Sequence, residues 1–171
     1  MSKRSIEGHR ANIARVADNK EGVVSADVNI ATVRRYIEEW ANEGNEAALN
    51  DVIAADWVSH GTQSATATPT GLPSGTTGAK KLHDEVRAIW PDNRWTIEDI
   101  FGGADRVAVR MTNRATHRGT YRGIPATGKR VVFSAIWIFR LADGKIAEVW
   151  RCADDLGRVV QIGGKIVPSD D

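Results

Sequence analysis

Residues 131–152 read Val131-Val132-Phe133-Ser134-Ala135-Ile136-Trp137-Ile138-Phe139-Arg140-Leu141-Ala142-Asp143-Gly144-Lys145-Ile146-Ala147-Glu148-Val149-Trp150-Arg151-Cys152. Val131 to Leu141 predicts a long strand apolar on both faces, the pattern of a strand near the middle of a sheet. Ala142 to Lys145 predicts a tight hairpin turn, because an Asp-Gly pair accepts the positive φ values that such turns need. Ile146 to Cys152 is then the returning strand, and Asp154 to Ile162 reads as a closing turn or short helix.

Upstream of this hairpin the same period of two continues. Arg106 to Thr116 places Val107, Val109 and Met111 on one side and Ala108, Arg110 and Thr112 on the other. Gly102-Gly103-Ala104-Asp105 turns the chain back to a strand from Arg94 to Phe101. Arg118 to Gly128 is a connection containing Gly and Pro. Before Pro91 the period changes to that of a helix. Thr77 to Trp90 carries Leu82, Val86 and Ile89 on one face, and Pro91 stops it because proline cannot extend the hydrogen-bond ladder. Residues 61–78 are a loop by composition, of a length typical of lids and binding loops. A short helix covers Glu46 to Ala54, and Asp56 to His60 leaves it toward the rim of a pocket. The first strong helix starts at Ser25 or Asp27. Its stripe is Val28, Thr32, Tyr36 and Trp40 at i, i+4 spacing, joined by Val33 and Ile37, and Gly44 suits the left-handed position that ends it. Residues 1–26 read as an extension, residues 27–165 as one domain and residues 166–171 as a tail. Three helices followed by four strands in meander order predict an α+β fold, with the helices on one face of an antiparallel sheet.

The totals agree with a single domain. The chain has 171 residues, and domains commonly run to roughly 100–200. It is 42% hydrophobic and 26% charged, with 23 basic against 22 acidic residues. Such balance gives no electrostatic reason to expect a nucleic acid or a membrane surface as partner. With one cysteine, Cys152, neither an internal disulfide nor a cysteine-built zinc site is available. Four histidines without the i, i+4 metalloprotease spacing predict no metal centre. No stretch approaches the ~20 apolar residues of a membrane span, and the expected setting is cytoplasmic. Six tryptophans against three phenylalanines and two tyrosines could wall a cavity for a flat ligand or simply fill the core.

Gly119-Thr120-Tyr121-Arg122-Gly123-Ile124-Pro125-Ala126-Thr127-Gly128-Lys129-Arg130 resembles a segment of the SnoaL-like polyketide cyclases. Asp143-Gly144-Lys145-Ile146, Glu148, Trp150, Asp154, Gly157, Gln161 and Gly163 are similar to that family's closing pattern. Trp90-Pro91-Asp92 and Asp56-Trp57-Val58-Ser59-His60 resemble its upstream signatures in the same order. The resemblance spans about residues 28–163. It implies a cone-shaped, curved antiparallel sheet with about three N-terminal helices enclosing an apolar pocket, in a homodimer or higher homo-oligomer. It also implies ring closure by an aldol reaction on a hydrophobic small molecule, with neither a metal nor an organic cofactor. The family's acid/base aspartate falls on Arg151, and a family histidine on the preceding strand falls on Trp137. An arginine stays charged at neutral pH and cannot remove a proton, so the resemblance implies the scaffold but a divergent chemistry.

Four residues are the candidates for chemistry. His60 carries an imidazole, the side chain best suited to proton transfer, or else ties the long loop to the sheet. His117 matches a family histidine and ends its strand, either facing the pocket with Asn113 or exposed. Asp154 matches a family aspartate and could orient a histidine or cap the closing helix. Arg151 could stabilise a developing enolate or pair with Asp154 or Asp92. Tyr36, Trp40, Trp57, Trp90, Asn113 and Trp137 are the expected pocket wall. The leading expectation is a cofactor-independent enzyme performing acid/base-assisted cyclisation or isomerisation of a hydrophobic ketone, ester or polycyclic natural product. The alternative is a non-catalytic ligand-binding or assembly module of the same fold.

Overall fold

The computed structural model describes residues 25–61 and 72–165. The proposed extension up to residue 24, the loop over 62–71 and the tail from 166 lie outside the described residues.

The chain runs α1 (Ala26–Arg35), a π-helical continuation (Tyr36–Ala41), α2 (Glu46–Val52), β1 (Ile53–Gly61), α3 (Gly75–Ile89), β2 (Arg94–Gly103), β3 (Arg106–Thr116), β4 (Arg130–Ala142), β5 (Lys145–Ala153) and α4 (Asp155–Gln161). This is an α+β fold with a curved, unclosed sheet of five strands in the order β1-β5-β4-β3-β2. β2 to β5 form the antiparallel meander that the alternation predicts. Asp143 and Gly144 both have positive φ, 51° and 74°, as a two-residue hairpin turn requires. Register shifts at Ile97/Asp99 and Arg140/Leu141 mark irregularities of the kind that bend a strand.

Three elements differ from the sequence reading, the smallest difference being α3, which begins at Gly75 within the stretch read as a loop. The second helix ends at Val52, and Ile53–Gly61 is an added edge strand paired parallel to β5. The first helix changes character at Tyr36, where the widened turn is closed by the bond from Asn42 N–H to the Ile37 carbonyl at 3.1 Å. Such widened turns occur often at functional sites. Here Tyr36, Ile37 and Trp40 are all buried within it.

The caps follow local chemistry. The Asn45 side chain accepts from the N–H of Ala47 and of Ala48 at the start of α2. Asp154 accepts from Gly157 N–H at 2.8 Å at the start of α4. α1 lies against β2, β3 and β5, α3 against β1, and α4 against β4. Alternate residues of β4 from Val131 to Leu141 form the covered face. The other face leaves Val132, Ile136 and Ile138 in solvent, so the strand is apolar on both sides although the helices cover only one.

The core between the helices and the inner face contains Val33, Ile37, Leu49, Val107, Val109, Met111, Phe139, Ile146 and Val149. A second cluster, at the other end of β3 and β4, joins Trp90, Ala115, Tyr121, Val131, Phe133 and Ile162. The connection before β4 explains its own glycine. Gly119 N–H donates to the Ile89 carbonyl at 3.1 Å, and a Cβ there would stand 2.4 Å from the Ala88 carbonyl oxygen. Only glycine fits that close approach.

Candidate functional site

Strand parity decides which candidates meet. Arg151 lies opposite Trp137 in the β4–β5 ladder, and both point to the inner face. On β1, Ser59 faces inward and its hydroxyl oxygen accepts a hydrogen bond from Arg151 Nη2 at 2.7 Å. The guanidinium carbon lies 5.6 Å from the centre of the Trp137 ring, within the range of a cation–π contact. Among the described residues Arg151 forms no ion pair, and neither Asp154 nor Asp92 reaches it. Burial pushes its pKa down, partly opposed by Tyr36 and Asp155. A desolvated cation without a carboxylate partner favours an incoming anion or a developing negative charge.

Tyr36, Trp40, Ala41, Ala79, Leu82, His83, Val86, Asn93, Trp95, Trp137 and Arg151 surround a recess of about 40 Å³. Burial raises the Tyr36 hydroxyl pKa, with Arg151 opposing, so the phenol stays a neutral donor beside the guanidinium. It makes no hydrogen bond among the described residues. Trp95 meets Trp137 edge to face at 4.8 Å. It is fixed by Asn42, whose side chain accepts from the Trp95 N–H at 2.7 Å and donates to its carbonyl at 2.9 Å.

His83 is the titratable group that the sequence reading missed. It lies 4.5 Å from the Trp40 ring, centre to centre. Burial, then the nearby Arg87 charge, pushes its pKa down, so it is neutral at neutral pH and able to accept a proton. Arg87 holds the surroundings. It donates to the carbonyls of Ala41 and Pro91 at 3.2 and 2.7 Å and to His83 Nε2 at 3.4 Å. His83 shares the α3 stripe of Ala79, Leu82 and Val86, and this i, i+3, i+4, i+7 spacing could have found it. Asn93 was also missed. It accepts from the Asn113 side chain at 2.7 Å, and that pair is buried.

The remaining candidates sit elsewhere. His60 lies on the outer face, 2.6 Å from a Glu148 carboxylate oxygen and stacked on Trp150 at 4.7 Å. The alternation that turns Ser59 inward turns His60 outward. Glu148 has its pKa lowered by its hydrogen bond to Arg140 and then by His60. His117 is fully buried in the second cluster against Trp90. Thr127 N–H donates to His117 Nδ1 at 3.3 Å, leaving the proton on Nε2, and burial lowers its pKa against the pull of the Gly119 backbone. Asp154 is exposed and caps α4. Trp57 and Trp90 are buried away from the recess, each with its indole N–H unpartnered among the described residues. Tyr36, Trp40, Trp137 and Arg151 therefore come together, with Asn113 behind Asn93.

Among the described residues no group of three or more His, Cys, Asp or Glu side chains is placed to hold a metal ion. No described helix is long and apolar enough to cross a membrane.

A family model described as SnoaL-like polyketide cyclase matches residues 31–162. No curated protein matches the chain significantly. Among solved structures, IdmH from Streptomyces antibioticus, a candidate polyketide cyclase, is 28% identical with a TM-score of 0.67, covering 79% of this chain and 98% of its own. TsrD from Streptomyces laurentii is 22% identical with a TM-score of 0.71, covering 83% of this chain and 99% of its own. A candidate SnoaL-like polyketide cyclase from Jannaschia sp. CCS1 is 19% identical with a TM-score of 0.71, covering 87% of this chain and 99% of its own.

Proposed function

The chain belongs to the SnoaL-like polyketide cyclase family, and on that premise we propose that it is a cofactor-independent enzyme for a hydrophobic ketone or ester. Its reaction is a cyclisation or isomerisation that passes through an enol or enolate. The observation that carries this reading is the Arg151 guanidinium, held without a carboxylate in an aromatic recess beside the Tyr36 hydroxyl. Both groups are hydrogen-bond donors, and donors fixed in a water-poor site stabilise charge that develops on oxygen. Neutral His83 in the same wall is the group able to take the α-proton and return it. The reading departs from the family's aldol scheme because an arginine replaces the acid/base aspartate.

The test is exchange of α-protons into deuterated water for a panel of polyketide and terpenoid ketones, followed by mass spectrometry. Exchange that is lost in Arg151→Met and slowed in Tyr36→Phe and His83→Gln supports the proposal. No exchange with any ketone class, or exchange indifferent to all three changes, removes it.

A non-catalytic ligand-binding or assembly module is the second reading. The small recess, about 40 Å³ against several hundred for typical ligand sites, favours the assembly form of that reading, in which the aromatic wall is core. Saturable binding of a planar ketone without exchange or turnover would select the ligand-binding form. A homodimer is the proposed assembly, through the outer-face patch of Ile136 and Ile138, clear of the end of the sheet at Val132. Sedimentation of the chain and of Ile136→Glu tests it, the substitution being expected to yield monomer.

A further inference from the structure

The outer face carries a second, chemically different feature. Asp92, Arg94, Arg114, Ala115, Thr116, Arg130, Val131 and Val132 line a groove of about 450 Å³ at one end of β2, β3 and β4. Arg94 and Arg114 stand directly opposite each other in the β2–β3 ladder, and Arg130 stands opposite Thr116 in the β3–β4 ladder. Like charges directly opposed across a ladder are destabilising. Among the described residues none of these three arginines forms an ion pair, although their neighbours on the same face do. Arg110 pairs with Asp99 at 2.6 Å and Arg140 with Glu148 at 2.5 Å.

Among the described residues the one carboxylate in the groove wall offsets a single positive charge and forms no ion pair with the three arginines. Asp92 accepts from the Thr116 N–H and from its hydroxyl, both at 2.6 Å. Those bonds, with the Arg118 charge, outweigh the effect of burial and lower its pKa. Its oxygens are therefore turned to the end of β3. The groove is also separate from the recess. Asn93 and Trp95 face the inner side, whereas Asp92 and Arg94 on the same segment face the outer one.

We propose that this groove is a binding site for a doubly charged oxyanion, with Arg94, Arg114 and Arg130 as its ligands. Guanidinium groups present paired N–H donors that match phosphate or carboxylate oxygens two at a time. Three of them around one groove suit a phosphate or pyrophosphate group, or a dicarboxylate, better than a single carboxylate. The site would anchor or regulate, since the sheet lies between it and the recess.

The experiment is calorimetric titration of the full chain at low salt with pyrophosphate, inorganic phosphate and succinate, against chloride at matched ionic strength. Saturable binding of a dianion but not of chloride is expected. Arg114→Gln and Arg94→Gln should each weaken it about tenfold, while Arg110→Gln, whose arginine pairs with Asp99, should change it less than about twofold. Without anion, Arg114→Gln should melt higher than the unaltered chain, because the opposed charge is gone. Preference for pyrophosphate assigns a phosphate source, and preference for succinate assigns a dicarboxylate. Absence of dianion binding, equal loss in all three variants, or masking of the groove by self-association with no anion effect overturns the proposal.

Discussion

Arg151 and Trp137 face each other across the β4–β5 ladder, the guanidinium carbon 5.6 Å from the indole centre. The sequence resemblance assigns these two positions to the family's aspartate and histidine. Where the resemblance implies a proton-transferring pair, this chain has a cation resting on an aromatic face. On the proposed reading, this pair holds negative charge, and the proton transfer passes to His83 in the same wall.

Arg151→Met should separate stability from function. The guanidinium is desolvated and has Ser59 as its hydrogen-bond partner, so an apolar side chain of similar length removes a cost of burial. Urea unfolding should show the variant equal to or about 1 kcal/mol more stable than the unaltered chain. Ketone binding, followed by tryptophan fluorescence, should be lost. A large destabilisation would mean that Arg151 holds the fold together.

Acid should destabilise the protein in two stages. His83 and His117 both have folded pKa values below 6.5, mainly through burial. The unfolded chain then binds the extra protons, so their contribution is complete above about 6.5 and is lost as pH falls from there through the folded values. Asp92 has its pKa lowered below 3.8, so its contribution is complete above that value and is lost in a second, more acidic step. Unfolding free energies measured from about pH 1.5 to pH 8 should show both limbs. His117→Gln should flatten the first, and Asp92→Asn the second.

Two glycines of the same connection should respond differently to alanine. At Gly119 a Cβ would sit 2.4 Å from the Ala88 carbonyl oxygen and 2.8 Å from the Ile89 Cα, so backbone must move. Gly128, at φ 70°, has open space, and alanine there meets only conformational strain. Gly119→Ala should cost about 1–3 kcal/mol and Gly128→Ala about 1 kcal/mol, read from denaturant midpoints. A cost at Gly119 no larger than at Gly128 would mean that the Ala88–Ile89 backbone gives way to the added Cβ without strain.

The meander was legible because its signals are local. Alternation marks β2 to β5, and Asp143-Gly144 marks the hairpin. β1 was not, since Ile53–Gly61 takes its strand character from pairing with β5, nearly a hundred residues away. Without that strand the parity of Ser59 and His60 was invisible, and His60 was set at the pocket rim. Of the recess, Tyr36 and Trp40 were reachable from helix periodicity, and Trp137 and Arg151 from the family resemblance. His83 escaped because a histidine within an apolar helix stripe reads as packing until Trp40 is seen to lie against it. The placement of Trp57 and Trp90 in the core depends on which of two clusters each joins, and composition carries no such information.

Trp137→Phe tests whether the recess is the ligand site. The indole packs against Trp95 at 4.8 Å and lies beneath Arg151, and it forms one wall of a space of about 40 Å³. Replacing it with phenyl removes one ring's worth of volume while retaining an aromatic face for the cation. The expected cost is about 1–2 kcal/mol, below the full loss for truncation to alanine because much of the packing remains. If a planar ketone binds here, the enlarged recess should accept a longer fused-ring ligand that the unaltered chain rejects, seen as a thermal shift on adding that ligand. An unchanged ligand-size limit, in a variant that still unfolds cooperatively, would mean that ligands bind elsewhere and that Trp137 is simply core.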